Sequence, residues 1–168
     1  DGGTVTGTNP TSYTIESNAI TLINPTKARH IFAGWTGTGL NEATTTVTIE
    51  ARSTGNRSYT ATWTEGVAQI VGGTLDGTVY TSIINAINAA PNNVKTKIIL
   101  LKDTRENFTI DSAKNIVFDF GEYALRVDTN STLSDSNTKT MIRNNGTLEI
   151  ISGTIEYDGT DKSNIIAN

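Results

Sequence analysis

Between Thr96 and Tyr157 the chain breaks into apolar runs of two to four residues, each closed by a turn signal. The runs are Ile98–Leu101, Phe108–Ile110, Ile116–Phe118, Leu125–Val127, Met141–Ile142, Leu148–Ile151 and Ile155–Tyr157. Lys102-Asp103, Asp111-Ser112, Gly121-Glu122, Asn144-Asn145-Gly146 and Ser152-Gly153 punctuate them. Short β-branched or apolar runs with punctuation this dense are strands, and no helix of ten residues fits between them. Similar runs at Phe108, Leu125 and Leu148 suggest a period of about twenty residues, the mark of stacked repeats in a solenoid.

Composition agrees with extended structure. Of 168 residues 30 are Thr, whose branched side chain packs on a pleated surface while its hydroxyl tolerates water. Lys and Arg are spread thinly in a chain of net charge −4, which argues against a phosphate-binding surface and against nucleic acid as a partner. No run of eighteen apolar residues occurs, so membrane insertion is not expected. Cys is absent, which suits an exported bacterial protein that does not rely on disulfides.

Residues 1–64 read as a first unit. Asn9-Pro10 and Asn24-Pro25 mark turns; Tyr13–Glu16, Ala19–Ile23, His30–Trp35, Thr45–Ile49 and Tyr59–Trp63 read as strands. In the last of these Tyr59, Ala61 and Trp63 share one face and the threonines the other, so one face is buried and one is wet. Phe32, Trp35, Tyr59 and Trp63 are expected as core rather than as a sugar-stacking platform, with Gly34 letting the backbone run close to a Trp ring.

The set Phe32-x-Gly34-Trp35, Tyr59-x-Ala61-x-Trp63 and Asn24-Pro25-Thr26 resembles the Listeria–Bacteroides repeat of the internalin B-repeat type, a small β-grasp-like module of bacterial surface proteins. His30 departs from it, standing where the family usually carries an aromatic. The family's opening strand would precede Asp1, which implies a segment of a longer chain.

Residues 65–168 form the second unit. Val67–Val71 and Thr78–Tyr80 read as a strand pair. A helix follows, capped by Thr81 or Ser82, with Ile83, Ile84, Ile87 and Ala90 on one stripe and Pro91-Asn92-Asn93 as its stop. The order Ser82–Ala90, Thr96–Asp103, Asn115–Gly121 and Asn145–Ile150 resembles the start of a right-handed parallel β-helix of the pectate-lyase-like kind found in bacterial adhesins, where an amphipathic helix covers the open first coil. The fold expected is therefore mainly β: a small β-grasp-like repeat, then the N-terminal coils of a parallel β-helix capped by one amphipathic helix.

Chemistry-bearing residues are sparse. Asp119, Glu122 and Asp128 are the nearest approach to a carboxylate cluster, with Arg126 and Arg143 the arginines along the same ladder. Paired carboxylates suit glycoside cleavage or a calcium site, but solvated strand-end and turn residues are the plainer reading, since three coils offer little groove for a cleft of ordinary size. The string Phe118-Asp119-Phe120-Gly121 lacks every other part of a kinase. Asp128–Thr132 opens like a calcium loop without its glycine and glutamate, and Asp158–Asp161 reads as a turn. His30, the sole histidine, has no metal-ligand or triad partners and is expected as a surface or half-buried strand residue. Asn107, Asn130 and Asn145 begin N-glycosylation patterns that carry little information in a bacterial protein.

The sequence thus nominates no catalytic, cofactor-binding or metal-ligating residue. It leads to an extracellular, bacterial cell-surface segment that acts in adhesion or as a structural stalk, with a host or neighbouring-cell protein or glycan as partner. A β-helix polysaccharide lyase or hydrolase is the alternative. Open sheet edges are also expected to let chains dimerise.

Overall fold

A computed structural model describes residues 2–127, 134–135, 138–157 and 164–167. It is mainly β with one α-helix, and divides into two compact units, Asp1–Glu65 and Gly66–Asn168.

In the first unit β1 (Ile20–Thr21) pairs antiparallel with β3 (Thr48–Ile49), and β2 (His30–Gly37) with β4 (Tyr59–Glu65). Tyr13–Glu16 is not a strand. Thr14 and Ser17 bond each other in a local turn, because their hydroxyls satisfy backbone groups that a ladder would otherwise take. Phe32 meets Trp35 and Trp63 edge-on at 5.5 and 5.6 Å. Trp35 is buried, its indole N–H donating to Asn24 Oδ1 at 2.9 Å, while Phe32, Tyr59 and Trp63 are half-buried. Gly34, at φ +129°, faces the Thr44 backbone and not a Trp ring; it is Gly3 that lies against the Trp63 indole.

In the second unit β5 (Ala68–Val71) lies between β6 (Val79–Tyr80) and β7 (Lys95–Leu100), antiparallel to both. From β7 onward the principal pairings are parallel. β8 (Thr104–Arg105) and β9 (Phe108–Ile110) follow, then the long β10 (Asn115–Val127), β11 (Ser134–Asp135), β12 (Thr138–Asn144), β13 (Thr147–Tyr157) and β14 (Asn164–Ala167). β11 is the exception, antiparallel to β12. Three parallel ladders result: Asn115 sits between Lys95 and Thr147, Leu125 between Thr104 and Ile155, and Ile142 between Phe108 and Ile166.

β10 and β13 each serve two ladders because they bend without breaking. Gly121 at φ +60° and Gly153 at φ +96° make the bends, so the turns expected at these glycines lie inside continuous strands. The spacing also departs from expectation. Phe108, Leu125 and Leu148 stand on three different ladders, and the first ladder repeats after twenty and then thirty-two residues.

Inward residues of the ladders, Ile98, Phe108, Ile116, Phe118, Leu125 and Ile142 among them, form one core with Ile83, Ala86 and Ile87 of helix α1 (Ile83–Ala89). Ser82 caps α1 through the N–H of Asn85, as its sequence position suggests. The sequence did not reveal the two charges that clamp its ends. The Glu106 carboxylate accepts the N–H groups of Ile83 and Ile84 at 2.9 and 3.2 Å, and Lys114 Nζ donates to the Asn88 and Ala90 carbonyls.

Candidate functional site

Alternation along β7, β10 and β13 puts Ile98, Ile116 and Phe118 inside and Lys97, Val117, Asp119 and Glu149 outside. The outer face carries a row of charges bridging adjacent strands. Lys95 reaches across β10 to Glu149 at 2.8 Å, and Lys97 pairs with Asp119 at 2.7 Å. Asp119 also accepts a hydrogen bond from the Ser152 hydroxyl, which itself accepts the Gly121 N–H at 3.0 Å. The Lys97 ammonium first, then the Ser152 hydroxyl, hold the Asp119 carboxyl below the usual carboxylate range.

A second network sits past the bend. Arg126 pairs with Asp103 at 3.0 Å and with Glu156 at 2.8 Å. Asp103 accepts the Ala124 N–H at 2.9 Å, which together with Arg126 lowers its pKa, while the two carboxylates raise that of Arg126. Asp103, Asp119 and Arg126 are thus held in their charged forms, each against a named neighbour. A general acid at neutral pH needs the opposite shift.

The candidate residues are therefore distributed rather than assembled. Asp119 and Arg126 belong to separate networks, Glu122 is exposed at the bend, and Arg143 lies on β12 opposite Thr109 and Ala167. Asp128, the calcium-like segment from it to Thr132, the turn Asp158–Asp161 and Asn130 fall outside the described residues. His30 is half-buried on β2; its Nδ1 donates to the Ala28 carbonyl at 2.8 Å and its ring meets Trp63 edge-on. Among the described residues no three His, Cys, Asp or Glu side chains gather as a metal site would require, and no helix is long and apolar enough to cross a membrane.

Three passes of the chain do form a groove of ordinary ligand-site size, contrary to expectation. It encloses about 640 Å³ on the outer face, between the Gly72–Leu75 turn and β13. Val71, Val94 and Ile151, 39, 50 and 55% exposed, line it, with Val117 buried among them. Lys95 and Glu149 contribute to the lining too, already paired to each other. Asp119, Glu122, Arg126 and Arg143 are not among its lining residues. Apolar strand positions facing outward, Val71 and Ile151 above all, were the available sequence signal, hidden because they continue runs that read as core.

No protein-family model matches the chain, and comparison with curated proteins and with solved structures likewise found no match.

Proposed function

We propose that the chain is a non-catalytic segment of a bacterial cell-surface protein, acting in adhesion or as a stalk that presents binding surfaces. On this reading the first unit is a β-grasp-like repeat of the Listeria–Bacteroides type. The second is the capped N-terminal part of a right-handed parallel β-helix. The resemblances in sequence motivate both assignments, and the three parallel ladders around one core are what such a solenoid requires.

The observation that carries the functional reading is the state of the outer face. Asp119 is held ionised against Lys97 and Ser152, and Asp103 against Arg126, so these two carboxylates are tied to neighbours as ladder contacts and are not set up as general acids. Beside them lies an apolar groove, a feature suited to contact rather than chemistry.

The test runs immobilised protein against panels of host proteins and glycans, in parallel with an assay for polysaccharide turnover. Saturable binding without turnover is the expected result. Turnover of a polysaccharide would overturn the adhesive reading in favour of a lyase or hydrolase. Silence in both assays would leave the stalk role alone.

A further inference from the structure

The first unit holds a smaller cleft of about 330 Å³, at the low end of ligand sites, which run from about 300 to 1,000 Å³. Leu22 and Ile49 give it an apolar lining, and Tyr13 and Tyr59 contribute two phenol rings. Arg57 lines it too, tied to a tyrosine. Its Nε donates to the Tyr13 hydroxyl at 3.0 Å, and that hydroxyl donates to the Gly55 carbonyl at 2.5 Å. The phenols of Tyr13 and Tyr59 together raise the pKa of Arg57 further above its ordinary value, so the cation is permanent.

What Arg57 lacks is a carboxylate. Arg126, Lys95 and Lys97 each spend their charge on acidic neighbours, whereas among the described residues no Asp or Glu pairs with Arg57. A guanidinium anchored through Nε to Tyr13, with the Tyr59 phenol beside it, still has terminal N–H groups to offer a planar anion, and part of the rotamer entropy of docking is already spent in the free protein.

The surroundings narrow the anion. A chain of net charge −4 repels polyanions, which favours a ligand with one negative group. Thr11, Ser12 and Asn56 ring the cleft with hydroxyl and amide groups that match a polyol, while the phenol rings suit the C–H face of a pyranose.

We infer that this cleft binds a saccharide carrying a single carboxylate, a uronic-acid sugar, with Arg57 gripping the carboxylate and Tyr13 and Tyr59 flanking the ring. This names a ligand class for the adhesive reading and rests on it.

The experiment titrates the whole chain with a disaccharide containing one glucuronic acid, followed by calorimetry and amide chemical shifts. A neutral disaccharide and an acidic dipeptide serve as comparisons. The acidic sugar is expected to saturate with shifts at residues 11–13 and 55–59. Arg57→Gln should weaken binding at least about ten-fold, Arg57→Lys less, and Tyr13→Phe by a few-fold through loss of the guanidinium anchor. Both tryptophans lie in this unit, so unchanged indole fluorescence certifies the fold of each variant; if Arg57→Gln fails that check, Arg57→Lys decides. Unaltered binding by a folded Arg57 variant overturns the site, as does an equal response to the neutral sugar or the dipeptide. No binding of the acidic sugar by a chain that still captures another surface ligand overturns this inference and spares adhesion. A chain that captures nothing overturns both.

Discussion

A methyl group at Gly153 would collide with the Cβ of Phe120, in a backbone conformation (φ +96°) that L side chains avoid. Gly121 makes the corresponding bend one strand away at φ +60°, yet a Cβ there meets open space. Gly153→Ala should therefore cost about 2–4 kcal/mol, strain and overpacking combined, and Gly121→Ala about 1 kcal/mol. Urea midpoints of the two variants check the ranking; equal losses would mean that the collision is relieved by movement of Phe120. Asp119 gives a second test. Its folded pKa lies below the ordinary 3.8, so its contribution is complete above that value and disappears as pH falls through the lower folded value. Asp119→Asn should lower the urea midpoint at pH 7, with the gap to the parent closing as the pH drops below 3.8. A gap that persists in acid would assign the loss to Ser152 hydrogen bonding and not to charge. Sequence flagged both glycines as turn markers and Asp119 as part of a carboxylate cluster. It could not reveal that the glycines bend continuous strands or that the carboxylate is ion-paired, since Lys97 and Ser152 reach it only through strand register.

Helix α1 is seven residues long, too short to stand alone in water, so the groups that hold its ends decide whether the first pass of the ladder is covered. Glu106 and Lys114 bracket it with the signs its macrodipole favours. Glu106→Ala should destabilise the second unit by about 1–3 kcal/mol, with Glu106→Gln recovering part because an acceptor remains. Reversing both charges, Glu106→Lys with Lys114→Glu, should cost at least as much as the two alanine variants together. Recovery of stability in the reversed pair would show a direct interaction between the two side chains and no role for the dipole. The helix itself was legible from its apolar stripe and Ser82, because those signals are local. Its clamps come from residues 23 and 26 positions away and were not. At Tyr13–Glu16 alternation suggested a strand where side-chain hydroxyls won a local turn, the competition to be expected of a sequence so rich in Ser and Thr.

The molecule as a whole offers separate reporters for its two units. Trp35 and Trp63, its two tryptophans, lie in the first, and the helix and parallel ladders in the second. Ile87→Ala, which empties a buried site in the second unit, should cost about 2–5 kcal/mol and move the far-ultraviolet transition while the tryptophan midpoint stays in place. Movement of both would mean that the units unfold as one. Mainly-β character was legible at this scale, since Thr abundance and turn density report it directly. The uniform twenty-residue period was not, because register counts paired backbone groups and is blind to the residues strung between them. In the first pass Glu106 and Asn107 alone connect the second ladder to the third; in the next, twelve residues of sequence separate the rung at Val127 from the rung at Thr140. A ladder that accepts connections so unequal in length is a natural scaffold for a grafted foreign peptide. Each doubling of a flexible insert costs only about 0.6 kcal/mol, so cargo spliced between two rungs can vary in length while the rungs on either side keep their partners.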